Sequence, residues 1–399
     1  MHQPLAGIKM VEVAQFTFTP AAGAVLTEWG AEVIKVEHSE TGDAQRGMRS
    51  QPKVGSWQPV MDHPNRGKKS IGLTLEHPAA YEVLMDLCRD ADVFLTNFLP
   101  AARRRLHLEV EDIRKANPDI IYVRGSAHGQ RGPWAERGGF DGSSFWFRMG
   151  SAWGVTPPGS ERLIAMPAGA YGDSLGGMTI AGGIAGALFA RERTGEPSVV
   201  DVSLLGSGLW SLGHTVALTT HLNQRMEAFP PGVHGSPINP LVGLYATSDG
   251  RYISFVMMQA GKFWADVCRH IDQPDLADDP RFDSGEKIAA NTAEAVQILS
   301  KAIATRSLAE WSERFATLAG PWAPVQDTLQ AAGDTQVRAN EYVVQAGELE
   351  LVANPVQFDV AAPVSGPAPG FAEQTDEILL ELGLDWDRII ELKTIGAVT

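Results

Sequence analysis

The chain has 399 residues, more than a single hydrophobic core usually supports, so two domains or one elaborated domain are predicted. Its 48 acidic and 33 basic residues give a net charge of −15, which argues against nucleic acid or an anionic membrane as the main partner but leaves an anionic small ligand open. Two cysteines, Cys88 and Cys268, have no metal-like neighbours and favour a reduced, cytoplasmic protein without a disulfide framework or a metal site. The first residues lack a basic segment followed by an apolar one, so no signal peptide is predicted.

The N-terminal third of the chain alternates between strand-like and helix-like patterns. Strands are predicted at residues 8–14, 32–37, 70–75, 92–97 and 119–124, and helices at residues 20–29, 78–91 and 110–116. This alternation predicts an α/β fold with a Rossmann-like parallel sheet, whose ligands bind at the carboxyl ends of the strands. No Gly-x-Gly-x-x-Gly follows the first strand, so a dinucleotide site is not expected.

A single carboxylate, Asp173, lies among glycines directly before a long apolar run. No residue from Ser174 to Ala190 is charged, and the run is slightly short and too rich in glycine for a membrane span. It predicts a largely buried helix, with glycines that let other backbones approach closely. Asp173 falls at or near the N-terminus of this helix, where free N–H groups and the helix dipole favour negative charge. A helix N-cap is therefore the simplest interpretation of Asp173.

The second half of the chain has a different pattern. A strand at 198–204 and a helix at 206–221 precede a proline- and glycine-rich loop at 229–237. A smaller α+β region follows, with a turn and strand at 245–255 and helices at 260–271, 289–304 and 308–318. Prolines at 355, 363, 367 and 369 predict an extended crossing segment without helix, and a C-terminal helix is predicted at 375–383. The predicted domains are 1–225 (large), 226–330 (small) and 331–399 (a linker and return to the large domain).

Several stretches, in the same order along nearly the whole chain, resemble the family III CoA-transferases. This group includes the formyl-CoA, carnitine and bile-acid CoA-transferases and also the α-methylacyl-CoA racemases. The matching stretches are Gly-Ala-Glu-Val-Ile-Lys-Val-Glu at 30–37, Asn-Arg-Gly-Lys-Lys-Ser-Ile-Gly-Leu at 65–73 and Tyr-Gly-Asp-Ser-Leu-Gly-Gly-Met at 171–178. The resemblance implies a Rossmann-like large domain with a smaller α+β domain, an interlocked homodimer, and Asp173 as the catalytic nucleophile.

The resemblance also implies a set of residues that bind CoA or line the acyl site. Carried over position by position, these are Phe16, Thr17, Phe18, His38, Leu73, Asn97, Phe98, Arg105, His128 and Gly235. His38 stands where an arginine is common, and Thr17 where formyl-CoA transferase has a glutamine. For His128, a role in the acyl pocket and a purely structural role are both open. The loop at 232–239, which closes over the active site in the family, lacks the consecutive glycines of formyl-CoA transferase.

The chemistry implied is the exchange of CoA between an acyl-CoA and a carboxylic acid, with CoA as a substrate and no tightly bound cofactor. An aspartate with an ordinary pKa of about 3.9 is ionised at neutral pH and needs no general base to act as a nucleophile. The alternatives are an α-methylacyl-CoA racemase or another CoA isomerase, and a CoA-binding protein without activity. The racemases place a catalytic histidine where this chain has Phe140, which cannot carry a proton. The intact Gly172-Asp173 pair argues against an inactive protein.

Overall fold

The computed structural model describes residues 3–48, 58–228, 235–360 and 366–399, which form two compact units. The larger unit comprises Met1–Val155, Arg162–Met226 and Thr335–Thr399, and the smaller comprises Thr156–Glu161 and Glu227–Asp334. Within the described ranges, no helix is long and apolar enough to cross a membrane. In the same ranges, no group of three or more His, Cys, Asp or Glu side chains could hold a metal ion.

The larger unit is built on a six-stranded parallel sheet, which confirms the predicted α/β class. Its strands are β1 (Lys9–Val13), β2 (Glu32–Glu37), β3 (Lys69–Gly72), β4 (Val93–Thr96), β5 (Ile121–Ser126) and β6 (Val199–Ser203). They lie in the order β3-β2-β1-β4-β5-β6, and Met10 of β1 pairs with Val33 of β2 and Val93 of β4. The strand order reverses between β1 and β4, and such a reversal opens a crevice at the carboxyl ends of the strands.

Helices cover both faces of this sheet. They are α1 (Phe18–Glu28), α2 (Pro59–Asn65), α3 (Pro78–Arg89), α4 (Pro100–Arg105), α5 (Val110–Ala116), α6 (Ser151–Val155), α7 (Tyr171–Thr194), α8 (Leu204–Ser211) and α9 (Gly213–Leu222). A π-helical segment, Gly142–Phe147, precedes α6. The prediction of a single helix at 206–221 is wrong, because the backbone leaves helical geometry at Leu212 and a new helix begins at Gly213.

Helix α7 packs against α1 through its glycines. A methyl group on Gly177 would lie 2.6 Å from Cβ of Ala21, and one on Gly176 would overlap the ring of Phe18. The predicted close approach is confirmed at these two positions, but it is wrong for Gly182 and Gly186, where an added methyl group would meet no atom within 4 Å. The prediction that α7 is largely buried is wrong, because Leu175 and Phe189 lie on a face that is exposed in the single chain.

The smaller unit has its own sheet and core. Three antiparallel strands lie in the order β7-β8-β9, namely β7 (Val242–Ala246), β8 (Tyr252–Val256) and β9 (Trp322–Pro324). Its helices are α10 (Ala260–His270), α11 (Gly285–Ala290), α12 (Thr292–Ile303), α13 (Leu308–Arg314) and α14 (Thr328–Gly333). The core is built around Trp264, Trp311 and Phe255, all at most 2% exposed. The predicted α+β character of this region is confirmed.

The C-terminal segment belongs to the larger unit. It contains α15 (Thr335–Ala339), the hairpin β10 (Val343–Ala346) and β11 (Leu349–Val352), and the helices α16 (Thr375–Glu381) and α17 (Trp386–Thr394). Ile378 and Ile389 join the core beneath α3 and α5. The predicted extended segment has no helix at 355–360 and 366–369, while Pro363 lies outside the described residues.

Candidate active site

A cavity of about 620 Å³ lies in the larger unit, in the crevice where β1 and β4 end. Five residues that the sequence singled out contribute to its lining, and they come from three separate parts of the chain: Phe16 and Phe18, Asn97 and Phe98, and Asp173. The loops after β1 and β4 are tied together, since the Gln15 N–H donates to Asn97 Oδ1 (3.0 Å) and Asn97 Nδ2 donates to the Gln15 carbonyl (2.6 Å). The cavity therefore has one carboxylate and several aromatic side chains in its wall.

Asp173 is the third residue of α7 and only 8% exposed. The helix is capped by Ala170, in the left-handed conformation with φ +61°, so the N-cap interpretation of Asp173 is wrong. The Asp173 side chain has no hydrogen-bond or ion-pair partner among the described residues. Burial, with a smaller contribution from the charge of Asp141, raises its pKa from 3.8 to about 7. The expectation of an aspartate with an ordinary pKa is therefore wrong.

Asp141 is a residue of this site to which the sequence interpretation gave no role. It is 7% exposed, and its Oδ1 accepts a hydrogen bond from the Gly142 N–H (2.7 Å). Its Oδ2 is buried without a hydrogen-bond partner in the described part of the chain. A signal was present, because Asp141 directly follows Phe140, the position at which the family resemblance predicts a difference from the racemases. Its electrostatic effect on Asp173 depends on the fold and could not be read from the sequence.

A second cavity, of about 180 Å³, adjoins the first. It is lined by His38, Leu73 and Arg105, and it shares Gln15, Phe98 and Ala102 with the larger cavity. The shared residues place the two cavities next to each other. Three further residues that the family resemblance assigned to CoA thus line a cavity that adjoins the one containing the carboxylate.

Three of the predicted site residues lie elsewhere. Thr17 is buried and its hydroxyl donates to Oε1 of Gln45 (3.1 Å), so it is not part of either cavity wall. The ring of His128 contacts Arg148 (3.2 Å) and packs edge-on against Trp134, which fits the structural interpretation. Burial, and then the charge of Arg148, lowers the pKa of His128.

Gly235 belongs to the smaller unit, where its φ of +115° and the adjacent carbonyl of Val242 leave no room for a side chain. Of the loop at 232–239, residues 232–234 lie outside the described residues.

Phe140 lies in the wall of the larger cavity, with 59% of the residue exposed. Its ring meets that of Phe16 edge to face, with centroids 5.3 Å apart. Neither ring can exchange a proton, so this part of the cavity wall is apolar. Arg103 and Arg137 also contribute to the wall. Neither was among the predicted site residues, although the basic run at 103–105 was a possible phosphate contact in the sequence. Arg103 is held by the Phe98 carbonyl (2.8 Å), whereas the guanidinium of Arg137 stacks on Trp134.

Comparisons with known proteins identify the family of this chain. Residues 5–375 match the model of the family described as CoA-transferase family III. The chain is 27% identical to the (R)-2-hydroxy-4-methylpentanoate CoA-transferase of Clostridioides difficile, over 98% of each chain. It is 29% identical to the cinnamoyl-CoA:phenyllactate CoA-transferase of Clostridium sporogenes, over 97% of this chain and 95% of the relative. A crystal structure of a CAIB/BAIF family protein from Brucella suis superposes with a TM-score of 0.82 at 25% identity, covering 96% of this chain and 100% of that one. The chain therefore belongs to CoA-transferase family III and is an enzyme of that class.

Proposed function

We propose that the protein moves CoA from an acyl-CoA donor to a carboxylic acid acceptor, with Asp173 as the covalent nucleophile. The observation that carries this proposal is the position of Asp173: a buried carboxylate without a partner among the described residues, in the wall of a cavity that is also lined by residues assigned to CoA. A carboxylate that forms no ion pair keeps its oxygen lone pairs available for attack.

In the first half of the reaction, an Asp173 oxygen attacks the thioester carbonyl of the donor. The C–S bond breaks, which leaves an acyl-aspartyl anhydride and the CoA thiolate. The thiolate then attacks the aspartyl carbonyl of the anhydride and releases the donor acid as its carboxylate. Asp173 is now an aspartyl-CoA thioester.

The second half runs these steps in reverse with the acceptor acid. The acceptor carboxylate attacks the aspartyl-CoA carbonyl and expels the thiolate, which forms a second anhydride. The thiolate attacks the acceptor's acyl carbonyl, yielding the new acyl-CoA and the free Asp173 carboxylate. The cycle neither gains nor loses CoA or protons, so no cofactor is required.

Two features of the larger unit support this chemistry. The first-turn N–H groups of α7, at Tyr171 and Gly172, have no acceptor within the helix and favour negative charge beside Asp173. The aromatic wall of Phe16, Phe18 and Phe140 limits the access of water, which would hydrolyse an anhydride. The same wall argues against the racemase alternative, because it places no titratable group at position 140.

The test is a screen of purified protein with acyl-CoA donors against a panel of carboxylates, followed by mass spectrometry. The panel includes branched and aromatic 2-hydroxy acids, since two relatives are named for such substrates, together with formate, acetate and dicarboxylates. Asp173→Ala should lose transfer and the hydroxylamine-trapped adduct, whereas Asp119→Ala, at an exposed position, should keep both. Transfer that survives in Asp173→Ala would contradict the mechanism.

We also propose that the enzyme works as a homodimer. Several apolar side chains are exposed on the single chain, including Trp210 at 87%, Phe189 at 65% and Leu175 at 47%. Within the described ranges, α9 has no buried residue at all. An apolar surface of this kind is typical of a protein interface. Light scattering at low micromolar concentration should give twice the chain mass of 42.9 kDa, and a monomer would contradict the proposal.

A further inference from the structure

The loop after β1 holds Phe16 in a conformation that phenylalanine rarely adopts. Its φ is +64°, in the left-handed region, where a side chain clashes with the backbone. The Phe16 N–H donates to Oδ1 of Asp43 (3.1 Å), and Oδ1 also accepts from the Gln45 N–H (2.9 Å). Strain of this kind persists only where the surroundings enforce it. Asp43 is thus one group that keeps Phe16 in place.

Behind this loop lies a fully buried lysine, Lys35 of β2. Its ammonium group is 2.8 Å from Oδ2 of Asp43, donates to the Ala14 carbonyl (2.9 Å) and lies 3.4 Å from Oε1 of Glu12. Burial lowers the pKa of Lys35, but Asp43, Glu12 and Glu37 outweigh that effect and raise it, so the lysine stays charged. Lys35 therefore holds the loop directly at Ala14 and, through Asp43, at Phe16.

A second buried lysine, Lys68, belongs to the same charge cluster but does not reach the loop. Its ammonium group bonds to both carboxylate oxygens of Glu12 (2.9 and 2.8 Å), to the Pro20 carbonyl (2.8 Å) and to Asn65 Oδ1 (3.0 Å). The two lysines thus share Glu12 as an ion-pair partner and differ in their other hydrogen-bond and ion-pair partners.

Buried ion pairs of this kind are often no more stabilising than apolar side chains of similar volume, so stability alone does not account for them. The loop they hold carries Phe16 into the wall of the cavity that contains Asp173, in contact with Phe140. We infer that Lys35 is a positioning residue for CoA transfer: acting through Asp43 and Ala14, it fixes the strained Phe16 in the wall of the cavity that contains Asp173.

This inference rests on the proposed function, and the test compares Lys35→Met with Lys68→Met. Each variant removes one buried ammonium group and leaves Glu12 with one lysine, so both should lower the unfolding midpoint. Only Lys35→Met releases the loop, and misplacement of an active-site wall can lower kcat by about 10- to 100-fold. Lys68→Met should keep kcat within about threefold of wild type.

A double-mutant cycle separates positioning from general damage. In a Phe16→Ala background there is no ring to position, so Lys35→Met should lower kcat by no more than about threefold. If Lys35→Met alone does not fold, the charge-balanced pairs Lys35→Met/Glu12→Gln and Lys68→Met/Glu12→Gln replace the single variants, with the same expected difference.

Equal losses of kcat in the two lysine variants, or an undiminished effect of Lys35→Met without the Phe16 ring, would overturn the inference while leaving CoA transfer intact in the wild type. A wild type that transfers no CoA would overturn the proposed function, and the inference with it.

Discussion

Replacing Asp173 by asparagine is expected to stabilise the folded protein above pH 7 while abolishing CoA transfer. Burial and Asp141 raise the pKa of the Asp173 carboxyl from 3.8 to about 7. At about 1.4 kcal/mol per pH unit, ionising this group costs the folded state up to about 4 kcal/mol relative to the unfolded chain. Asparagine has nearly the same shape and no charge, so the variant avoids this cost.

The pH dependence follows from the direction of the pKa change. The folded state holds the Asp173 proton more tightly than the unfolded state, so its contribution to stability is complete below pH 3.8. It is lost as the pH rises through the folded pKa of about 7. The Asp173→Asn variant has no such loss. Its free energy of unfolding should therefore exceed that of the wild type by almost nothing at pH 4 and by the largest amount at pH 8.

Urea unfolding at pH 5, 6, 7 and 8 would measure this difference in the free energy of unfolding. The control is Asp119→Asn, which changes an exposed aspartate and should track the wild type at every pH. Equal urea midpoints for Asp173→Asn and wild type at pH 8, or an advantage that is independent of pH, would refute the reasoning, because the buried carboxylate would then carry no cost.

Three further predictions concern the pH dependence of activity, the packing of α7 and the role of Phe140. The kcat/KM of the wild type should fall below about pH 7 as the Asp173 carboxylate takes up a proton, and Asp141→Asn should shift this acid limb to lower pH by removing a like charge. Gly177→Ala should destabilise the fold by about 2 kcal/mol, measured by urea unfolding, because its methyl group would lie 2.6 Å from Cβ of Ala21; an unchanged midpoint would contradict the packing of α7. With Phe140 in the cavity wall, 2-methylacyl-CoA in D₂O should gain no enzyme-dependent α-deuterium by mass spectrometry, and rapid exchange would favour the racemase alternative.

Local patterns were sufficient to predict most of the secondary structure. The predicted bounds of β2 (Glu32–Glu37) and α5 (Val110–Ala116) coincide with those observed, because alternating β-branched residues and flanking turn or cap residues act within a few positions. Predictions that depended on neighbours in space were less successful. The N-cap interpretation of Asp173 and the prediction that α7 is largely buried were both wrong, since the start of a helix and the faces it buries are decided by packing.

By itself, the sequence determined the parallel α/β architecture, the family, and Asp173 as the candidate nucleophile, because periodicity and a short motif are properties of adjacent residues. Only the tertiary structure decided which residues line the cavity of Asp173 and the cavity beside it, and that Thr17 and His128 line neither. It also decided the pKa of Asp173, which depends on burial and on Asp141, thirty-two positions earlier in the chain. The contacts that link Lys35 to the loop at Phe16 were likewise decided by the tertiary structure. Desolvation and charge–charge interactions act through distances in space, which are set by the fold and not by separation along the chain.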